Sequence, residues 1–85
     1  MKIKTQKIAT FTGVFVNTCV QYQIEVDIRY EDGGLVMKLQ SGGAYVVRSY
    51  SFNQILQSTL TPFGFAEFSA SEAMRELKGP VSYVS

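Results

Sequence analysis

The chain has 85 residues and a net charge of +1, and 46% of its residues are hydrophobic while 18% are charged. This length suits one core, so we expect residues 1–85 to form a single domain that folds alone or as a small oligomer. Nucleic-acid binders usually carry a clear basic excess and DNA mimics a clear acidic one, so the near-neutral charge favours neither class of protein. Cys19 is the single cysteine and cannot form an internal disulfide, which favours a cytoplasmic location.

The N-terminal segment has two interpretations. Three lysines in the first seven residues precede an apolar stretch over 8–16, the order found in a signal peptide. Two threonines and a glycine interrupt the stretch, and no small-residue cleavage site follows it. A β-strand over about 5–16 is therefore the preferred prediction, and no run approaches the length of a membrane helix.

The segment over about 19–31 predicts the longest strand. From Val20 to Glu31 every even position is apolar and every odd position is polar, which is the period of a strand with one buried face. A turn at Asn17-Thr18 would pair this strand with 5–16, so that Phe11 faces Ile24. Apolar residues would then meet on the same side of the sheet.

The next turn is expected at Asp32-Gly33, as a two-residue type I′ turn into a strand over 35–40. This register places Asp27 opposite Lys38, whereas a Gly33-Gly34 turn would oppose two cations. A further glycine turn leads into a strand over 44–50, which has apolar residues on both sides. Its buried face stays open at this stage.

The period then changes to that of helices. One helix is predicted over about 52–60, with Ser51 as N-cap and an end at Thr61-Pro62. A second is predicted over about 70–78, because Ser69 and Glu72 have the spacing of a capping box. The stretch from Phe63 to Phe68 remains either a strand or a loop, and the alternating tail over 81–85 could pair with a sheet edge.

Together these elements predict an α+β fold, a four-stranded antiparallel β-meander with one or two C-terminal helices packed on one face. The chain contains no histidine, which removes histidine-based catalytic and metal sites. Cys19 lies at a predicted strand start and is expected to be a packing residue. We therefore expect no cofactor and no metal.

One pair of carboxylates has the spacing of a catalytic site. Glu25 and Asp27 lie on one strand face about 7 Å apart, a separation that acid and base pairs use. Arg29 and Lys38 beside them would keep both carboxylates ionised, whereas a general acid needs a raised pKa. The sequence thus favours a protein that is not an enzyme.

The outer face of the predicted sheet is the expected partner-binding surface, since its threonines and glutamines give it a low charge for a solvated face. Its predicted residues are Thr10, Thr12, Gln21, Gln23, Glu25, Asp27, Arg29 and Lys38. We expect a small protein-interaction module that binds a larger protein as an inhibitor, adaptor or assembly subunit, or that forms a homodimer. By analogy of size and character it fits the phage and mobile-element accessory proteins, which include inhibitors of host defence.

The alternative function is binding of single-stranded nucleic acid on the sheet, where aromatic residues can stack bases. It is less favoured, because the pattern puts Phe11, Phe15 and Tyr22 on the face that the helices should cover. The outer face would carry carboxylates instead, and these repel phosphates.

Overall fold

The computed structural model describes residues 2–78 and shows an α+β fold, in which helices pack against a three-stranded antiparallel sheet. The element order is α1 (Lys2–Gln21), β1 (Glu25–Glu31), β2 (Gly34–Ser41), β3 (Ala44–Ser51), α2 (Phe52–Leu56) and α3 (Pro62–Lys78). The predicted tail over 81–85 lies outside the described residues.

The N-terminal segment is a helix, so the predicted strand over 5–16 and its turn at Asn17-Thr18 are wrong. Phe11, Phe15 and Cys19 are spaced four residues apart and are all fully buried, which places them on one helical stripe. Several β-branched residues in this segment favour a strand on local propensity, but the packing of that stripe overrides it. The Thr12 hydroxyl is accommodated because it donates to the carbonyl of Ile8 at 2.8 Å.

α1 ends in a Schellman motif, and this end moves the start of β1 from the predicted residue 19 to residue 25. The amide of Ile24 donates to the carbonyl of Cys19 at 3.0 Å, and that of Gln23 donates to Val20 at 2.9 Å. Gln23 takes the left-handed conformation that the motif needs, with a φ of 62°. The alternating pattern before Ile24 therefore belongs to a helix end and not to a strand.

The β1–β2 hairpin has the predicted register, with Asp27 opposite Lys38 and Glu31 opposite Gly34. Its two-residue loop is Asp32-Gly33, but the turn is not type I′, since only Gly33 has a positive φ, of 75°. The β2–β3 hairpin closes on Gly42-Gly43, where Gly42 has a φ of 60°. A positive φ at the first loop position is that of a type II′ turn.

The helices after the sheet differ from prediction in their bounds. Ser51 is the N-cap of α2 as predicted, with Gln54 completing a capping box, although this helix ends at Leu56. α3 begins eight residues earlier than expected, at Pro62, so the undecided stretch 63–68 is helical. Thr61 caps it, because its Oγ1 accepts from the amide of Gly64 at 3.0 Å, and proline is favoured at the first helical position.

Ser69, the predicted N-cap of the last helix, lies inside α3 and is buried, where it hydrogen-bonds Tyr50. It shares one stripe with Ala66, Ala70 and Ala73, whose small side chains let α1 pack closely along α3. The core between these helices and the sheet also contains the inward-facing β2 residues and α2. Its largest fully buried side chains are Phe11, Phe15, Leu35, Met37, Leu39 and Ile55.

Candidate functional site

The sheet face opposite the core is open to solvent in the part of the chain that the structure describes. The register places three rows across this outer sheet face. The face of β3 that the sequence left open is now assigned: Val46 is half-buried on the inner side, and Tyr45 and Val47 point outward. The rows contain Glu25, Gln40 and Tyr45; Asp27, Lys38 and Val47; and Arg29, Val36 and Ser49. The face is thus charged along β1 and partly apolar along β3.

Tyr45 and Val47 are the most exposed apolar side chains of this face, at 63% and 49%. The Nζ of Lys38 lies 4.9 Å from the centroid of the Tyr45 ring, in a cation–π contact. Although Asp27 is the cross-strand neighbour of Lys38, no ion pair joins them. The ammonium group of Lys38 therefore lies against the Tyr45 ring and forms no ion pair with Asp27.

The charges along β1 are unevenly compensated. Arg29 forms an ion pair with Glu31 at 3.4 Å, two residues along the same strand. Glu25 and Asp27 have no cationic partner among residues 5–77, and both are exposed. The N-terminal half of β1 consequently presents two exposed carboxylates that form no ion pair, although Lys38 lies across the strands from Asp27.

A groove of about 630 Å³ contacts α1, β1 and β2 together. On the α1 side it touches Val16 and Val20, which are one helical turn apart, and on the outer sheet face it touches Lys38 and Gln40. Since α1 packs on the inner face, a groove that reaches both faces lies at the corner of the sheet where α1 leads into β1, beside the first residues of the open β1 edge. We call it the edge groove; its full lining is Val16, Val20, Gln23, Ile24, Glu25, Val26, Asp27, Lys38 and Gln40.

Five of the eight predicted partner-binding residues come together here. Gln23, Glu25, Asp27 and Lys38 line the edge groove, and Arg29 follows on the outer sheet face beside Asp27 and Lys38. Glu25, Asp27 and Arg29 share one face of β1, and the register places Lys38 beside them. Gln23 is close to them because it lies in the turn that ends α1.

The other three predicted residues are separated from the sheet, because they lie on α1. Thr10 is exposed and Thr12 is half-buried on that helix. Gln21 lines a second groove of about 590 Å³ between α1 and α3, which also contains the exposed rings of Tyr22 and Phe68. Their assignment to the outer sheet face is wrong, since it depended on a strand that is a helix.

Four residues of the candidate site were missed from the sequence. The sequence does not decide which side of the sheet Tyr45 and Val47 face, because both sides of β3 carry apolar residues. The alternation of β2, carried through the two-residue loop into β3, is the signal that places them on the outer side. Val16 and Val20 were assigned to strands, whereas their spacing of four residues is helical. That spacing was the available signal.

The titratable groups of the core are inert rather than reactive. Burial raises the pKa of the Cys19 thiol to about 11, so this side chain is a neutral packing residue at physiological pH. Burial also raises the pKa of Tyr50, whose ring contacts Phe11, Phe15 and Phe65. The side chains that the structure describes form no cluster of three or more potential metal ligands.

Within residues 2–78 no helix combines the length and hydropathy needed to cross a membrane. Comparisons with protein-family models, with curated proteins and with solved structures give no significant match.

Proposed function

We propose that this protein is a small non-enzymatic interaction module that acts in the cytoplasm by binding a larger protein through its outer sheet face. The proposal rests on the exposed surface that Tyr45 and Val47 form on the same sheet face as the charged residues of β1. Exposed aromatic and aliphatic side chains with a polar rim are typical of protein interfaces. An inhibitor, an adaptor, an assembly subunit and a phage accessory protein all fit such a surface.

The proposal of a binding role over catalysis rests on the setting of the acidic pair. Glu25 and Asp27 are both exposed on the outer sheet face of a strand, whereas catalytic acids usually lie in enclosed, water-excluding surroundings. Residues 5–77 also contain no buried side-chain polar atom that lacks a hydrogen-bond partner. The described core thus offers no unpaired polar side chain to a substrate.

The experiment is affinity capture from the native host with two variants compared against the unmodified chain. The double variant Tyr45→Lys/Val47→Lys places cations on the outer sheet face, and both positions are exposed enough to leave the fold intact. Thr10→Lys is the matched control, since Thr10 is exposed on α1. The proposal requires one protein that the control retains and the double variant loses, followed by direct calorimetric titration of that protein with each variant.

Selective loss must be accompanied by an unchanged circular dichroism spectrum of the double variant. If every captured protein is retained by the double variant, the outer sheet face is not the interface. Light scattering of the purified chain separates a homodimer from a complex with a larger protein, because only the homodimer persists without host proteins.

A second candidate function, binding of single-stranded nucleic acid, is favoured by the contact between Lys38 and Tyr45. An exposed ring beside a cation can stack a base and approach a phosphate. Fluorescence anisotropy with a labelled oligothymidylate tests it: binding should weaken steeply with salt and with Tyr45→Ala. Lack of binding at low salt would leave the protein-binding function alone.

A further inference from the structure

The open edge of β1 has unpaired backbone groups. The two-residue loop makes Glu31 and Gly34 a hydrogen-bonded pair, and the alternation of an antiparallel ladder then directs the odd residues of β1 towards β2. The amides and carbonyls of Val26, Ile28 and Tyr30 point the other way. No described residue bonds to them.

This edge has none of the backbone features that block strand pairing. β1 contains neither proline nor glycine, and its seven residues pair with β2 without a bulge. Tyr30 points to the inner side but is 65% exposed, so the helices do not cover the end of this edge. An added strand can therefore continue the sheet on this side.

The edge groove supplies a surface for the side chains of such a strand. Alternate residues of an added strand, those opposite Val26 and Ile28, point to the inner side, and the one opposite Val26 points towards Val16 and Val20 of α1. Val20 is 57% exposed and Val26 is half-buried, so apolar side chains placed there would cover existing apolar surface. The inner side of the groove thus selects apolar residues.

The outer side of the groove selects the opposite kind of residue. Side chains opposite Glu25 and Asp27 point to the outer sheet face, where neither carboxylate is engaged in an ion pair. Opposite charges directly across two strands are stabilising, and like charges are destabilising. Pairing with β1 of a second copy would bring together two strands that each carry three carboxylates and one guanidinium, so a basic segment fits the edge better.

We propose that the β1 edge binds an extended segment of a partner protein in which basic residues alternate with apolar ones. The backbone of the segment pairs with Val26, Ile28 and Tyr30, its apolar side chains cover Val16 and Val20, and its basic side chains lie opposite Glu25 and Asp27. This recognition by strand addition rests on the proposed binding function and specifies the chemistry of the partner.

The test uses a blocked peptide of alternating lysine and valine, about as long as the seven-residue strand, and amide NMR spectra of the full chain. We expect saturable shifts and slowed hydrogen exchange at the amides of Val26, Ile28 and Tyr30. A glutamate-valine peptide should bind about tenfold more weakly. A lysine-valine peptide that is N-methylated at the valines should lose binding, because the valines lie opposite Val26 and Ile28 and their amides would otherwise donate to β1.

The double variant Glu25→Lys/Asp27→Lys should reverse the preference, so that the glutamate-valine peptide becomes the tighter ligand. Equal binding of the methylated peptide, or shifts centred on Tyr45 and Val47, would overturn strand addition. Protection of the β1 edge amides that grows with protein concentration and without peptide would assign the edge to a second copy instead. Absence of peptide binding would overturn this inference, whereas the proposed function is lost only if the Tyr45 and Val47 variant retains every captured protein.

Discussion

The amide of Ile24 donates to the carbonyl of Cys19 at 3.0 Å, and this bond closes α1 and starts the sheet. Both residues are buried, so the apolar contact that accompanies a Schellman motif is present. The residue between them that makes the bond geometrically possible is Gln23, through its positive φ of 62°.

Gln23→Gly should therefore raise the free energy of unfolding, by up to about 1 kcal/mol, since glycine adopts the left-handed region without steric cost. Gln23→Val should lower it, because a β-branched side chain is unfavourable there. Urea unfolding followed by circular dichroism measures both. Equal stability of the two variants would contradict the helix end described here.

The two glycines Gly13 and Gly34 should respond in opposite directions to alanine. A Cβ at Gly13 meets no atom within 4 Å, so Gly13→Ala should stabilise α1 by about 0.5–1 kcal/mol. A Cβ at Gly34 would lie 2.5 Å from the carbonyl oxygen of Tyr50, and Gly34→Ala should cost about 1–3 kcal/mol. Thermal unfolding of both variants checks this, and destabilisation by Gly13→Ala would argue against the helix.

Thr61 should be the residue that fixes the start of α3. Thr61→Ala removes the acceptor for the Gly64 amide and should cost about 1 kcal/mol, whereas Thr61→Ser keeps the acceptor and should cost little. Chemical denaturation distinguishes the two variants. A large loss in both would mean that the threonine methyl group, and not the cap, supplies the stability.

The Cys19 thiol should make stability depend on alkaline pH. Because folding raises its pKa from 9.0 to about 11, the stabilisation is complete below pH 9 and is lost as the pH rises through 11. The loss should be up to about 2–3 kcal/mol. Denaturation between pH 8 and 11 should show a shallower decline for Cys19→Ala, and parallel declines would contradict the assignment.

The β1–β2 hairpin could be predicted from the sequence because several independent signals agreed. Strict alternation, an Asp-Gly loop and the opposition of Asp27 to Lys38 all select one register, and the structure has it. The turn type was wrong because the dipeptide permits more than one pair of backbone angles. Register depends on the pairing of side chains, and that pairing does not fix the turn.

The N-terminal helix could not be separated from a strand by local composition. Ile8, Thr10, Thr12, Val14 and Val16 favour an extended chain, and only the stripe of Phe11, Phe15 and Cys19 identifies the helix. This single error displaced Thr10, Thr12 and Gln21 from the candidate site and hid Val16 and Val20. The residues predicted on β1 and β2 were placed correctly on the outer side of the sheet because their alternation continues across the paired strands.

The close packing of α1 along the alanine stripe of α3 also sets an order of events in folding. The two hairpins join neighbouring segments and can form from local contacts. Phe11 and Phe15 are fully enclosed only when Phe65 and the alanines that follow it have packed in the same core. During synthesis we therefore expect Phe11 to be only partly covered, by Phe15 and Tyr50, until the last helix has left the ribosome. A pause in translation between these two segments would lengthen the time in which the nascent chain is prone to aggregate.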